Sequence, residues 1–506
     1  MSNTNRPKVV LVIADGWGIG AKDTSNPLRA AKTPNISFIR ENFLSGPLQA
    51  SGLAVGLPWN EEGNSEIGHL TIGAGRIVYQ SAARIGSSIA DGSFFKNQSL
   101  LYAVRKAKES GGSVNFIGLL GSGITHSNFK HLESLITLAE SENVPYKLHL
   151  FTDGRDSPMK TAGEIIKNIR EDRVGSVGGR FYGMDRDNHL DRTEKAFQAI
   201  IGKTPSRFPS PSAYIASNYE KNITDETVPP ASFDPEKLAL KENDSIVFFN
   251  FRSDRMRQIA RTINERFPEM PKVSFTQYDE SIPIPFAFTF EEIKNPLPAV
   301  IADHGLSQLH VAESEKYAHV TYFLNAENET IFPGEFRVII PSRRVASHDK
   351  YPEMMASEIT SRVVTAIEEN LYDFIVVNYA NADMVAHTGN FEATVRAAEI
   401  VDAGIGEIEA AALKTGFIMV FTSDHGNAER LIDPMTGERD TRHNSSPVPL
   451  YIVGDGYRRP KTESEADENE RIVIGSLCDV APTILELLGI QKPAEMTGQS
   501  LIKFLN

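Results

Sequence analysis

Phe417-Ile-Met-Val-Phe-Thr-Ser-Asp-His-Gly-Asn427 is an apolar run that ends in a carboxylate, an imidazole and a glycine. Two other stretches read the same way. Lys8-Val-Val-Leu-Val-Ile-Ala14 runs into Asp15, and Phe374-Ile-Val-Val-Asn378 is followed by Asp383 and His387. Short unbroken apolar runs of this kind are strands covered on both faces, as in a parallel sheet flanked by helices. Open α/β sheets collect ligands at the carboxyl ends of their strands. Lys8 and Phe417 lie at opposite ends of the chain, yet their strands end in the same chemistry. The N- and C-terminal parts are therefore expected to share one sheet.

Working outward, the chain repeats an apolar run, a polar or Gly-containing turn, and a longer amphipathic segment, the mark of an α/β protein. Further strands are expected at Val114–Leu120, Lys147–Phe151, Gly178–Tyr182, Ser245–Asn250, Arg337–Ile340 and Val448–Val453. Helices are expected at Thr161–Glu171, Ser357–Glu369 and Thr394–Leu413, and Tyr457–Asn469 reads as an exposed loop or hairpin. The middle strands end mainly in cations rather than in clustered metal ligands. This predicts an inserted second α/β domain over residues 79–298, with 1–78 and 299–506 forming a discontinuous first domain. Pro296 and Pro298 suit the return linker.

Size and charge bound the function. With 506 residues, two domains are the natural expectation. The composition is that of a soluble globular protein, 41% hydrophobic and 23% charged, with a net charge of -14. Such an acidic chain is poorly suited to non-specific binding of nucleic acid or an anionic membrane. An anionic substrate would need locally concentrated Arg and Lys. The single cysteine, Cys478, excludes an intrachain disulfide. The apolar stretch Val9–Ala14 is too short for a signal-peptide core, and nothing approaches the length of a membrane span. A cytoplasmic protein is expected.

Three constellations carry chemistry. Asp383 and His387 are four apart, on one face of any helical turn formed there. With Asp15, Asp424, His425 and His443 they make three Asp and three His, enough to serve two divalent ions. Ser65, in Gly63-Asn-Ser-Glu-Ile-Gly-His69, lies where a glycine turn would feed a helix. It reads either as a metal-activated nucleophile at an anion-favouring helix start or as a helix N-cap. Arg155, Arg186, Arg192, Arg252, Arg255 and Lys316, with His126 alongside, form a cationic set. Arg forks match phosphate and carboxylate, although strings such as Arg252-Ser-Asp-Arg255 also invite internal salt bridges.

These strings together resemble the cofactor-independent phosphoglycerate mutases of the alkaline phosphatase superfamily. The matching motifs are Ala14-Asp-Gly-Trp-Gly18, the Gly63–His69 string, His149-Leu-Phe-Thr-Asp-Gly-Arg-Asp156, Gly183-Met-Asp-Arg-Asp-Asn188 and Asn250-Phe-Arg-Ser-Asp-Arg255. Beyond them come Glu315-Lys-Tyr-Ala-His-Val-Thr-Tyr322, Asn381-Ala-Asp-Met-Val-Ala-His387, Thr422-Ser-Asp-His-Gly-Asn427 and His443. They follow the family's order and cover essentially the whole chain. Three loops depart from the family pattern, at Pro58–Gly63, Asn188–Arg192 and Ser347–Lys350, and none of them removes a ligand.

The resemblance implies an alkaline-phosphatase-like metal domain interrupted by an inserted transferase domain. It implies that Asp383, His387 and His443 hold one metal ion, and that Asp15, Asp424, His425 and Ser65 hold the other. The ions would be manganese, with magnesium, cobalt or zinc as substitutes. It implies a phosphoserine on Ser65 and interconversion of 3-phosphoglycerate and 2-phosphoglycerate without bisphosphoglycerate. Substrate contacts carry over to His126, Arg155, Asp156, Arg186, Arg192, Arg252, Arg255 and Lys316, with Asp156 handling the proton of the glycerate hydroxyls. A monomer acting on a small molecule is expected, with neither nucleic acid nor membrane as partner. Two rival readings are a phosphomonoesterase of the same superfamily, which would pass the phosphoryl group to water, and a non-catalytic binding protein that kept the fold.

Overall fold

Lys8–Ala14 is buried along nearly its whole length because both of its neighbours in the sheet are parallel strands and both faces are covered. Val9, Leu11 and Ile13 enter one apolar cluster, and Val10, Val12 and Ala14 enter another on the opposite face. The alternation of a strand thus divides one apolar run between two cores. The eight-stranded sheet runs in the order Glu335–Ile340, Gln308–Glu313, Phe374–Tyr379, Lys8–Ala14, Phe417–Thr422, Val448–Val453, Leu44–Gln49 and Gly475–Ser476. The first five are parallel, and Val448–Val453 runs antiparallel to both of its neighbours. Ile13 pairs with both Asn378 and Thr422. That register brings the residues after three strands to one edge.

The computed structural model describes residues 6–289, 292–433 and 435–506. The chain divides into two units, Met1–Gln80 with Glu292–Asn506, and Ser81–Glu291. The sequence had put the return crossing at residue 298. Instead, residues 292–298 belong to the first unit. Pro298 sits in the first turn of the helix Leu297–Asp303, with Pro296 as its N-cap, where a missing N–H costs nothing.

The second unit has its own six-stranded sheet. Its order is Ala231–Ser232, Val174–Gly179, Tyr146–Thr152, Val114–Leu120, Ser245–Phe248 and Lys272–Ser274. All are parallel except the short first strand. Its core also lies on both faces of the sheet.

Three segment readings are corrected. The strand expected at Gly178–Tyr182 is Val174–Gly179, and Arg180–Gly183 is a helical turn. A strand reading Val-Gly-Ser-Val-Gly-Gly has too few large apolar residues to announce itself. The helix expected over Thr161–Glu171 is limited to Ala162–Ile165 and a 3-10 turn, and extended Ile169 ends it. Within Tyr457–Asn469, Glu463–Asn469 is a helix started by a capping box between Thr462 and Glu465. Asp467 and Glu470 then pair with Arg40, so this charged segment is tied down rather than free.

Candidate active site

The helix Ser65–Ala74 begins at Ser65, but its cap is Asn64, whose side-chain oxygen accepts from the Ile67 N–H at 2.9 Å. The capping alternative for Ser65 is thereby taken by its neighbour. Ser65 is 7% exposed, and its Oγ turns inward. The helix lies close on the loop after Phe417–Thr422: a Cβ at Gly68 would stand 2.5 Å from the Asp424 carbonyl oxygen. Gly16, at φ +71°, gives similar clearance between the Asp15 and Asp383 loops.

Around Ser65 Oγ stand His425 Nε2 at 3.0 Å and Asp15 Oδ1 at 3.2 Å. Lys316 Nζ donates to Ser65 Oγ at 2.7 Å, to Asp15 Oδ1 at 2.7 Å and to Asp383 Oδ2 at 2.8 Å. Asp383 Oδ1 lies 3.3 Å from His387 Nε2 and 3.4 Å from His443 Nε2. Two ligand sets result, Asp383 with His387 and His443, and Asp15 with Asp424 and His425. In each set the candidate donor atoms lie within 4.8 Å of one another.

The surroundings orient these ligands. His387 Nδ1 faces the Thr441 carbonyl at 2.9 Å and His443 Nδ1 faces the Gly63 carbonyl at 2.9 Å. A proton on each Nδ1 leaves the Nε2 lone pair directed at the centre. Asn378 donates to Asp15 Oδ2 at 2.8 Å and Asn427 donates to Asp383 Oδ1 at 2.7 Å. Asp424 Oδ2 is buried, and its neighbour His69 Nδ1, 3.3 Å away, already faces the Ser65 carbonyl at 2.9 Å. A buried carboxylate oxygen without a full hydrogen bond is costly, and a divalent cation would satisfy it. The donor set, oxygen and imidazole nitrogen together, fits such an ion.

The charges here depend on one another. Burial works against ionisation of Asp383 and Asp424, but Lys316 and the imidazoles hold both carboxyl groups well below the ordinary range. Burial opposes the Lys316 charge as well, yet Asp15, Asp383 and Asp424 raise it further. Despite burial, the same carboxylates draw His425 up to about 9.

In the second unit, the loops after the parallel strands gather the cationic set. Arg186 donates to Asp254 at 2.9 Å, and Arg252 Nε lies 3.2 Å from the same carboxylate. Arg192 donates to Asp185 at 3.0 Å and lies over the Phe181 ring. Arg155 Nη1 lies 3.8 Å from Glu226. Burial lowers Arg255, and Arg186, Arg180 and Arg155 lower it further, the mark of like charges in excess. Internal pairing therefore engages part of the set and leaves a cationic surplus suited to an anion. His126 is pushed down to about 4 by burial and by Arg180.

Lys316, grouped in the sequence with the arginines but falling in the 299–506 segment, stands apart from them. It belongs to the first unit, among the carboxylates and Ser65. Other residues were not marked beforehand. Arg180, 3% exposed, joins Asp153 to Asp156 and lay hidden in the misplaced strand. Asn378 and Asn427 offered one signal in the sequence, their position at a strand end. Asp185, Asp187 and His189 also converge, but Asp185 is filled by Gln258, Arg192 and backbone N–H groups.

Residues 7–492 match the model of the Metalloenzyme superfamily. A 2,3-bisphosphoglycerate-independent phosphoglycerate mutase of Methanosarcina barkeri is 43% identical, with 99% of each chain covered. One from Moorella thermoacetica is 44% identical, with 98% of each covered. A crystal structure of Leishmania mexicana phosphoglycerate mutase at low cobalt concentration aligns with TM-score 0.60 and 27% identity, covering 99% of this chain and 98% of that one.

Proposed function

The chain belongs to the 2,3-bisphosphoglycerate-independent phosphoglycerate mutases of the Metalloenzyme superfamily, and we propose that it interconverts 3-phosphoglycerate and 2-phosphoglycerate through a phosphoserine on Ser65. The observation that carries this is the setting of Ser65 Oγ. It lies at a helix start, 2.7 Å from Lys316 Nζ and beside both candidate ligand sets. The protein is metal-dependent. Asp383, His387 and His443 would hold one divalent ion, and Asp15, Asp424, His425 and Ser65 the other, with manganese as the proposed metal. Bound there, the ions supply Lewis-acid neutralisation of phosphate charge and lower the pKa of a coordinated hydroxyl.

The chain's own residues do the rest. Backbone N–H groups at the start of Ser65–Ala74 favour an anion on Ser65. Lys316, kept charged by its carboxylates, stabilises an alkoxide at Ser65 Oγ. Arg155, Arg186, Arg192, Arg252 and Arg255, with His126, bind the phosphate and carboxylate of the substrate. Asp156 receives the proton from the glycerate hydroxyl that attacks phosphoserine, and its charge is steadied by Arg180 at 2.6 Å. Retention of glycerate while the phosphoryl group is on Ser65 makes the reaction a mutase rather than a hydrolase.

No helix among the described residues is long and apolar enough to cross a membrane. The substrate is a small molecule, and we propose that the protein acts as a cytoplasmic monomer. The deciding experiment is a coupled assay for 2-phosphoglycerate without added bisphosphoglycerate, before and after stringent chelation. The reading requires activity that chelation abolishes and divalent metal restores. Stoichiometric release of inorganic phosphate would identify a phosphomonoesterase instead.

A further inference from the structure

His126 and Asp254 hold two buried atoms that make no hydrogen bond and face each other. His126 is 4% exposed and sits after Val114–Leu120, while Asp254 follows Ser245–Phe248. The Phe251 N–H donates to the His126 carbonyl at 2.9 Å, fixing the two loops together. Neither His126 Nδ1 nor Asp254 Oδ1 makes a hydrogen bond, and the two atoms lie 4.0 Å apart. On its other side, His126 Nε2 lies 3.7 Å from Asp156 Oδ2. The charged groups facing the ring are Arg180, Asp156, Asp254 and Arg252.

A neutral imidazole has one N–H and two carboxylates to give it to. Asp156 Oδ2 already receives Arg180 Nη1 at 2.6 Å. Asp254 Oδ1 has Arg252 Nε 3.2 Å away as an ion pair but accepts no hydrogen bond, so it has an accepting position still to fill. From the geometry we infer that Asp254 is a positioning residue, which takes the His126 Nδ1–H and so presents the Nε2 lone pair beside Asp156 as an acceptor for a substrate hydroxyl. The ring must approach by roughly 1 Å to reach ordinary hydrogen-bond length. The second oxygen of Asp254 meanwhile accepts from Arg186 at 2.9 Å. One carboxylate thus sets both a guanidinium that binds charge and the tautomer of an imidazole that meets a hydroxyl.

The test uses the full metal-loaded chain with 15N-labelled histidine, His126 being assigned by its loss in His126→Gln. At neutral pH in the presence of 3-phosphoglycerate, the ring is expected as the Nδ1–H tautomer. In Asp254→Ala it should move to the Nε2–H form or to a mixture, with metal content and amide exchange of Val114–Leu120 unchanged. The mutase reading enters only through kinetics, where kcat/KM should fall about 10- to 100-fold, much of it in kcat. An Nε2–H tautomer in the unsubstituted protein would overturn the inference. So would an Asp254→Ala variant whose KM alone rises while the tautomer holds, since Asp254 would then serve only its arginines. If the chain lacks mutase activity altogether, the tautomer measurement still decides.

Discussion

The two units solve one architectural problem with opposite charge. Each has a mainly parallel sheet and gathers polar residues in the loops beyond its strand ends. In the first unit, the groups around Ser65 are carboxylates and imidazoles, largely buried, with one lysine among them. In the second they are guanidiniums, several of them half exposed. The histidines divide by surroundings rather than by unit, since burial also lowers His310 and His319 in the first. His425 is drawn up to about 9 by carboxylates, whereas burial pushes His126 down to about 4, His131 to about 4 and His149 to about 3. The same residue type is thus cationic beside carboxylates and neutral in an apolar or cationic setting. Strand-end geometry fixes where chemistry can occur, and local charge fixes which chemistry it is.

The sharpest way to break the contrast is at its centre. Ser65→Ala should cut turnover by about 10⁴-fold or more while metal content and fold persist. Residual mutase turnover above that level would remove Ser65 as the phosphoryl carrier. Lys316→Ala comes next, with kcat lowered by about 10²- to 10³-fold. It should also cost the metal-free protein about 3 kcal/mol, because Asp15 and Asp383 lose their buried cation. Added divalent metal should restore most of that stability in a thermal melt. Equal losses with and without metal would contradict the counterion role.

Titration separates the two kinds of histidine. His131 and His149 are neutral in the fold, with pKa values below the unfolded value near 6.5. The unfolded chain therefore binds more protons below pH 6.5. Their contribution is complete above that pH and is lost as pH falls towards 4. Each should cost roughly 2 to 3 kcal/mol by pH 4.5. For His425 the sign reverses: in metal-free protein its contribution is complete below about 6.5 and lost as pH rises through about 9. Amide exchange of Tyr146–Thr152 can be set against fluorescence of Trp17 and Trp59, both in the first unit. Both signals should change as pH falls from 6.5 towards 4, because burial lowers His310 and His319 in the first unit as well. The smallest expected effect is Arg255→Ala, an approximately 10-fold rise in KM with little change in kcat.

Much of this was legible in the sequence where physics forces an apolar run. Lys8–Ala14 and Phe417–Thr422 could be read to the residue because each is covered on both sides. Val174–Gly179 could not, since glycines carry no side chain to signal burial. Convergence of Asp15, Asp383 and Asp424 followed from strand ends alone. Lys316 was grouped with the arginines because composition shows a cation but not which strands it returns to. Asp254 escaped notice because an Asp between two arginines looks like ordinary pairing, and only the facing His126 nitrogen distinguishes it.

Lys316 has a further bearing on how the protein is made. With its ammonium within 2.8 Å of Asp15 and Asp383, and with His425 drawn into its protonated form, the carboxylate cluster carries its own countercharge. That countercharge lowers the cost of assembling the carboxylates before a cation binds. Loading becomes an exchange at a finished site, in which an incoming cation displaces protons and loosens the hold of an amine.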